Sequence, residues 1–185
     1  MLDKVAFFNM ADMQNIVFRL VLWCVFVAVC TAHPTKYPDV NLNVYRAKGT
    51  PPPFLSYHIH CMFVAYNNDS ISSALKLMEK FIQHFNLTNT KPCEGLYHQG
   101  RLCVFDVDYT NTGATDPFVS ANWAVFVPLE WYAKTVPWVM QNRGDQDILV
   151  HPNSGAEVSD HTRWALWMGD KWPLNSASFT NQTVF

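Results

Sequence analysis

The sequence has almost no excess of charge of either sign. Its 185 residues carry 13 lysines and arginines against 15 aspartates and glutamates, a formal net charge of -2. Proteins that bind nucleic acid usually concentrate basic residues, and this composition predicts no such basic field. The acidic excess is too small to indicate any other partner, so the charge argues only against nucleic acid.

Internal repeats and low-complexity tracts are also missing from the sequence. Apolar residues make up 49% of the chain and aromatic residues 15%. This composition can form a hydrophobic core and is too apolar for an intrinsically disordered chain. The length fits one folded domain with short additional segments.

The apolar run near the N-terminus is short for a membrane span. Residues 20–29 read LVLWCVFVAV, whereas a transmembrane helix needs roughly 20 apolar residues. Arg19 precedes the run and Ala32 follows it as a small residue, which is the layout of a secretory signal peptide over residues 1–32. We therefore expect a protein that is secreted or lies in the secretory-pathway lumen, with the membrane involved only if the segment stays uncleaved. A signal anchor and a buried helix are the alternatives.

Cysteine usage and glycosylation motifs agree with export. Of the five cysteines, Cys93 and Cys103 are close enough in sequence to close a small disulfide loop, which leaves Cys61 as a buried thiol. Three unpaired cysteines are the alternative. Three Asn-x-Ser/Thr motifs predict N-glycosylation, at Asn68, Asn86 and Asn181.

The remaining chain divides into three segments. Residues 33–53 end in Gly-Thr-Pro-Pro-Pro, and because proline at this density opposes helix we expect an extended arm. Residues 54–176 carry the alternating and helical patterns of a folded domain, and residues 177–185 form a tail.

Hydrophobic periodicity predicts strand, helix, strand, strand, helix, strand. The predicted strands cover residues 57–65, 101–107, 120–127 and 147–150, and the helices cover 70–85 and 128–141. This order is the split βαβ unit twice over, so we expect an α+β, ferredoxin-like βαββαβ sandwich with a four-stranded antiparallel sheet. No regular element is predicted after residue 152.

Three histidines are candidates for a metal site. His58 and His60 stand two residues apart on the first predicted strand, so both side chains lie on one face. In the strand order 4-1-3-2 the end of the fourth strand lies beside the start of the first, which brings His151 to the same place. Imidazoles clustered in this way are suited to a metal ion, with a packing role as the alternative. The helices should cover the opposite face and leave the histidines accessible.

Four stretches of the chain resemble the DOPA 4,5-dioxygenase family. They are YHIH at 57–60, VPWVMQNRG at 136–144, ILVHPNSG at 148–155 and DHTRWALWMG at 160–169. The resemblance runs from about residue 57 to residue 174 and implies the ferredoxin-like fold. It also implies extradiol opening of a catechol ring, such as that of L-DOPA, by O₂ at a non-haem Fe(II), with another divalent metal as an alternative.

The resemblance further implies roles for individual residues. His58, His60 and His151 would bind the metal, while His161, oriented by Asp160, would be the acid and base or a further ligand. Arg143 and Asn122 are the candidate substrate-binding residues. Arg143 can equally cap the end of a helix.

The chain departs from the family pattern at one position. Many bacterial members carry Gly-Pro-His-Pro before the third strand, whereas residues 114–117 here read Ala-Thr-Asp-Pro, with Asp116 in place of the histidine. The alternative function is therefore a secreted, catalytically inactive protein that binds catechols or metal on the same fold. A homodimer is a further possibility that the resemblance leaves open.

Overall fold

The computed structural model describes residues 40–87, 93, 100–109, 117–179 and 184–185. The predicted signal segment, the sequon at Asn181 and the substituted position Asp116 lie outside these residues. Among the residues described, no helix is both long enough and apolar enough to cross a membrane.

Five strands form one antiparallel sheet. They are β1 (Ser56–Phe63), β2 (Cys103–Val104), β3 (Ala121–Pro128), β4 (Asp147–Asn153) and β5 (Leu166–Met168). The strand order is β2-β3-β1-β4-β5, and every neighbouring pair is antiparallel. The predicted α+β class and the order 4-1-3-2 are confirmed, with β5 as an additional edge strand beside β4.

Within the described ranges, four α-helices accompany the sheet. They are α1 (Leu42–Lys48), α2 (Asn68–His84), α3 (Tyr132–Asn142) and α4 (Glu157–His161). Short 3₁₀ turns occupy Leu129–Trp131, directly before α3, and Ser176–Ser178. The two long helices were predicted, whereas α1, α4 and β5 were not.

The strand β1 alternates between two buried faces of the sheet. Ile59, Cys61 and Phe63 enter the main hydrophobic core, in which α2 contributes Phe81 and α3 contributes Val139. The indole of Trp123 on β3 anchors α2 by donating to the carbonyl of Ala74 at 2.9 Å. His58, His60 and Met62 lie on the other face, as the period of two predicts.

The prediction of an extended arm at residues 33–53 is wrong for residues 42–48. Residues 42–48 form α1, which begins after Asn41, whose side chain accepts from the amide of Asn43. The helix ends at Gly49, which has a φ of 64° that glycine adopts readily. The three prolines follow this end and therefore do not interrupt the helix.

The second strand is shorter than predicted. Only Cys103 and Val104 form a regular ladder with β3, although the amide of Phe105 still donates to the carbonyl of Ala124 and Asp108 bridges to Asn122. The segment with the alternating pattern, residues 101–107, thus runs alongside β3 but forms only some of the hydrogen bonds of a continuous strand pair.

Candidate metal centre

The three predicted ligands meet on two adjacent strands. His58 on β1 lies directly opposite His151 on β4, and His60 lies two residues along β1. All three side chains are fully buried, so the face away from the long helices is not open to solvent as we had expected. Sheet register alone therefore brings these imidazoles together, because β1 and β4 are hydrogen-bonded neighbours.

The three side chains are close enough to one another to share a metal ion. A nitrogen can be chosen from each ring such that all three lie within 4.8 Å of one another. The Nε2 atoms of His60 and His151 are 3.2 Å apart. Two nitrogens bound to one ion at about 2.1 Å stand about 3.0 to 3.4 Å apart at octahedral or tetrahedral angles, which matches this separation.

The Nδ1 atoms of His60 and His151, which point away from the cluster, each have an oxygen partner. Nδ1 of His60 lies 3.0 Å from Oδ1 of Asn122, and Nδ1 of His151 lies 2.9 Å from the carbonyl oxygen of Pro152. Both oxygens are acceptors, so both Nδ1 atoms carry the proton and both Nε2 atoms present lone pairs. Two lone pairs at this distance repel each other unless a cation lies between them, and the arrangement therefore fits a metal ion.

Burial keeps these rings neutral. It lowers the pKa of His60 to about 4, although the hydrogen bond to Asn122 acts in the opposite direction. Burial also lowers the pKa of His151 well below its ordinary value, and the neighbouring His161 and His60 lower it further. Neutral imidazole is the form that binds metal, so the site is prepared for a metal ion at neutral pH.

His161 lies directly beside the cluster on the short helix α4. The ring centroids of His161 and His151 are 3.8 Å apart. Nδ1 of His161 donates to the carbonyl oxygen of Glu157, one helical turn earlier, at 2.8 Å. In the neutral form of the ring this bond leaves the lone pair on Nε2, so a neutral His161 has the tautomer of a proton acceptor.

Asp160 does not take the orienting role that we predicted for it. Its two carboxylate oxygens accept from the hydroxyl of Ser154, at 2.6 Å, and from the amide of the same residue, at 3.0 Å. Successive residues on a helix point about 100° apart, and Asp160 therefore faces the loop after β4 while Nδ1 of His161 is held by Glu157. Burial raises the pKa of Asp160 to about 7, and the Ser154 hydrogen bonds oppose this shift. Asp160 fastens the Ser154 loop to α4.

Arg143 lies at the end of α3, next to the loop that precedes β4. Its Nη1 donates to the carbonyl oxygen of Gln146 at 2.8 Å, in the loop before β4. His151 is four residues beyond Asp147, the first residue of β4, or about 13 Å at the usual strand rise. Of the two predicted roles for Arg143, this geometry supports the capping of carbonyls at a helix end.

Asn122 contacts the site through a histidine. Its Oδ1 accepts from His60, and its side chain is 1% exposed. Its Nδ2 is buried and has no hydrogen-bond partner among the described residues. Substrate binding through Nδ2 stays a prediction, whereas the contact with His60 is a feature that the sequence did not reveal.

Aromatic rings enclose the histidines, and most of these were missed in the sequence. Phe118 packs on His60 at a centroid distance of 4.5 Å, Phe105 on His58 at 5.3 Å, and Phe179 on His161 at 4.7 Å. Phe126 lies opposite His58 in the β1–β3 register, so strand alternation could have found it. Phe105 lies in the alternating stretch 101–107, whereas Phe118 and Phe179 come from irregular segments without a periodic signal.

The cysteines and the described sequons are placed as follows. Cys93 and Cys103 form a disulfide with Cα atoms 5.5 Å apart, and Cys61 is a buried thiol. Burial raises the pKa of Cys61, which keeps it protonated and unreactive. Asn68 begins α2 and Asn86 follows its end, and both side chains are exposed.

Known proteins are similar to this chain in sequence and in fold. The family model for the Dopa 4,5-dioxygenase family matches residues 57–178. DOPA 4,5-dioxygenase of Amanita muscaria is 26% identical over 122 residues, which cover 66% of this chain and 48% of that protein. An uncharacterized 21.2 kDa protein of Botryotinia fuckeliana is 40% identical over 58 residues, which cover 28% of this chain and 31% of that protein. The matches thus span about half, or less, of the length of these relatives.

A solved structure extends the likeness to three dimensions. The crystal structure of a candidate dioxygenase from Nostoc punctiforme superposes with a TM-score of 0.51 at 26% identity, covering 66% of this chain and 88% of that one. The family match covers more than half of the chain and includes all three clustered histidines as well as His161. The chain therefore belongs to the Dopa 4,5-dioxygenase family.

Proposed function

We propose that this protein is an extradiol-type dioxygenase that opens the ring of a catechol such as L-DOPA with O₂, using a non-haem Fe(II). The observation that carries the proposal is the convergence of three buried imidazoles, His58, His60 and His151, beside a fourth histidine, His161, whose Nδ1 is held by a backbone carbonyl. The family and its Amanita muscaria member support the choice of reaction and substrate class.

The ligand number suits this chemistry. His58, His60 and His151 would hold the ion, and a non-haem iron bound by only three protein ligands would supply the Lewis-acid and redox chemistry that catechol ring opening by O₂ requires. The aromatic rings of Phe105 and Phe118 pack on the buried histidines and exclude water from them, which strengthens electrostatic interactions around the site.

His161 is the residue that we assign to proton transfer. A catechol must lose a hydroxyl proton to bind as an anion, and a neutral imidazole with a lone pair on Nε2 can accept that proton and later return it. The bond from Nδ1 to Glu157 fixes the ring, and the 3.8 Å contact with His151 keeps it beside the metal ligands.

The reaction is tested by loading the protein with Fe(II) without oxygen, adding L-DOPA or another catechol, and then admitting O₂. We expect oxygen uptake and a yellow ring-opened product. The variant His161→Gln should keep its bound iron but lose at least about 100-fold in rate, as is typical for removal of a general acid–base group. His84→Gln is the matched control, because His84 stacks on Trp138 on the other side of the sheet.

Two outcomes would contradict the proposal. Tight catechol binding without oxygen uptake by any member of a catechol panel would identify an inactive binding protein instead. Full activity in His161→Gln would remove the acid–base role while leaving ring opening in place.

We also propose that the protein passes through the secretory pathway. The disulfide between Cys93 and Cys103 and the exposed positions of Asn68 and Asn86 support this location. Expressed in a eukaryotic secretory host, the protein should migrate faster after treatment with an N-glycosidase, and Asn68→Gln combined with Asn86→Gln should reduce that shift. An unchanged mobility, with the protein retained inside the cell, would argue against export.

A further inference from the structure

The side chain of Asn122 lies beside the three candidate metal ligands. It lies on β3, two residues from Ala124, which is the residue opposite His60 in the β1–β3 register. Asn122 is 1% exposed, and its backbone N–H and C=O both pair with the backbone of Asp108. A buried carboxamide is costly to desolvate, so its placement here needs a compensating interaction.

That interaction is with the outer nitrogen of His60. Oδ1 of Asn122 and Nδ1 of His60 are 3.0 Å apart, while Nε2 of His60 lies 3.2 Å from Nε2 of His151. A neutral imidazole has one proton, so an acceptor at Nδ1 leaves the lone pair at Nε2. The opposite orientation of the amide would place a donor at Nδ1 and would move the proton to Nε2, where it would block a metal ion.

We propose that Asn122 is a positioning residue, whose side-chain oxygen holds His60 in the Nδ1–H form and so presents Nε2 as the metal-binding atom. This inference rests on the proposed metal site and adds to it the group that prepares one of the ligands. The backbone carbonyl of Pro152 has the same role for His151, but a backbone oxygen cannot be changed by substitution. The tautomer of His60 therefore depends on a side chain, that of Asn122, which a substitution can change.

Two substitutions separate this role from a merely structural one. Asn122→Asp keeps an acceptor at the same place, whereas Asn122→Leu keeps a similar volume without any polar group. Thr135→Val is the matched control, because Thr135 is fully buried and its hydroxyl donates to Trp131 within the helical segment on the opposite face of the sheet.

The first measurement is the affinity for Zn²⁺, by competition with a chelator. We expect Asn122→Leu to bind Zn²⁺ about 10- to 100-fold more weakly than the wild type, the usual cost of removing a hydrogen-bond partner of a ligand. Asn122→Asp should bind at least as tightly as the wild type, and Thr135→Val should bind equally. Equal affinity in Asn122→Leu and the wild type would overturn the inference while leaving the metal site itself intact.

The second measurement is the protonation of His60 by ¹⁵N NMR of the metal-free protein at pH 8, with the signal assigned from His60→Gln. We expect a proton on Nδ1 in the wild type and in Asn122→Asp, and loss of that preference in Asn122→Leu. A proton on Nε2 in the wild type would overturn the inference. This readout holds even if the wild type bound no Zn²⁺, a result that would contradict the proposed function instead.

Discussion

At the scale of single residues, the site depends on which ring nitrogen carries the proton. The bonds from His60 to Asn122, from His151 to Pro152 and from His161 to Glu157 all use Nδ1. Each bond leaves Nε2 as the reactive atom. Residue type and spacing predicted the metal ligands, but these partners are two backbone carbonyls and one side chain from another strand, which a linear sequence does not reveal.

Burial of neutral histidines makes the stability of the metal-free protein depend on pH. His60 has a pKa of about 4 when folded and near 6.5 when unfolded, and the pKa of His151 is lowered in the same direction. Their contribution to stability is present above pH 6.5 and is lost as the pH falls toward 4, because the unfolded chain then binds protons that the folded protein does not. Asp160, with its raised pKa of about 7, stabilises the folded protein as the pH falls over this range. This single group offsets only one of the two histidines.

We therefore expect the free energy of unfolding of metal-free protein to fall between pH 6.5 and pH 5. Each such proton contributes about 1.4 kcal/mol per pH unit. Urea titrations at a series of pH values check this, and His60→Gln should show a shallower dependence than His84→Gln. A stability that is flat over this range, or an equal slope in the two variants, would contradict the burial of neutral rings.

At the scale of elements, the short strand β2 forms one wall of the site. Cys103 on β2 lies opposite Phe126 and is tied to Cys93, while Phe105 just beyond the strand packs on His58. Because the ladder is only two residues long, the disulfide is a large part of what holds this wall in place.

Removal of the disulfide should therefore be costly. The double variant Cys93→Ser with Cys103→Ser should lose about 2 to 3 kcal/mol of unfolding free energy, the range expected for a loop of this small size. Urea midpoints with and without reductant measure the effect, and reductant should leave the double variant unchanged. Equal midpoints for the reduced and oxidised wild type would show that β2 is held by its packing alone.

The elements that the sequence predicted are those long enough to show a period. The strand β1 alternates over eight residues, and α2 repeats its apolar positions over 17 residues. The elements α4 and β5 have five and three residues, which is too short for either period to emerge. The role predicted for Asp160 was wrong for the same reason. The helix α4 was not predicted, and it is this helix that turns the Asp160 side chain away from its neighbour His161.

At the scale of the whole molecule, the sheet separates two kinds of interior. One face packs against α2 and α3 in a core without buried histidines, and the other holds the histidine cluster among aromatic rings. The strand order places β1 at the centre of the sheet between β3 and β4. The central strand β1 thus carries two of the candidate ligands, His58 and His60. Its neighbour β4 supplies the third, His151, and its neighbour β3 supplies Asn122.

Metal content per chain tests most directly whether His58, His60 and His151 bind one metal ion. Purified wild-type protein and the variant His84→Ala, incubated anaerobically with Fe(II) and then desalted, should each retain about one metal ion per chain. His58→Ala and His151→Ala should retain almost none, because loss of a ligand costs more than the 10- to 100-fold of a neighbouring group. Equal metal content in all four proteins, or none in the wild type, would contradict the account.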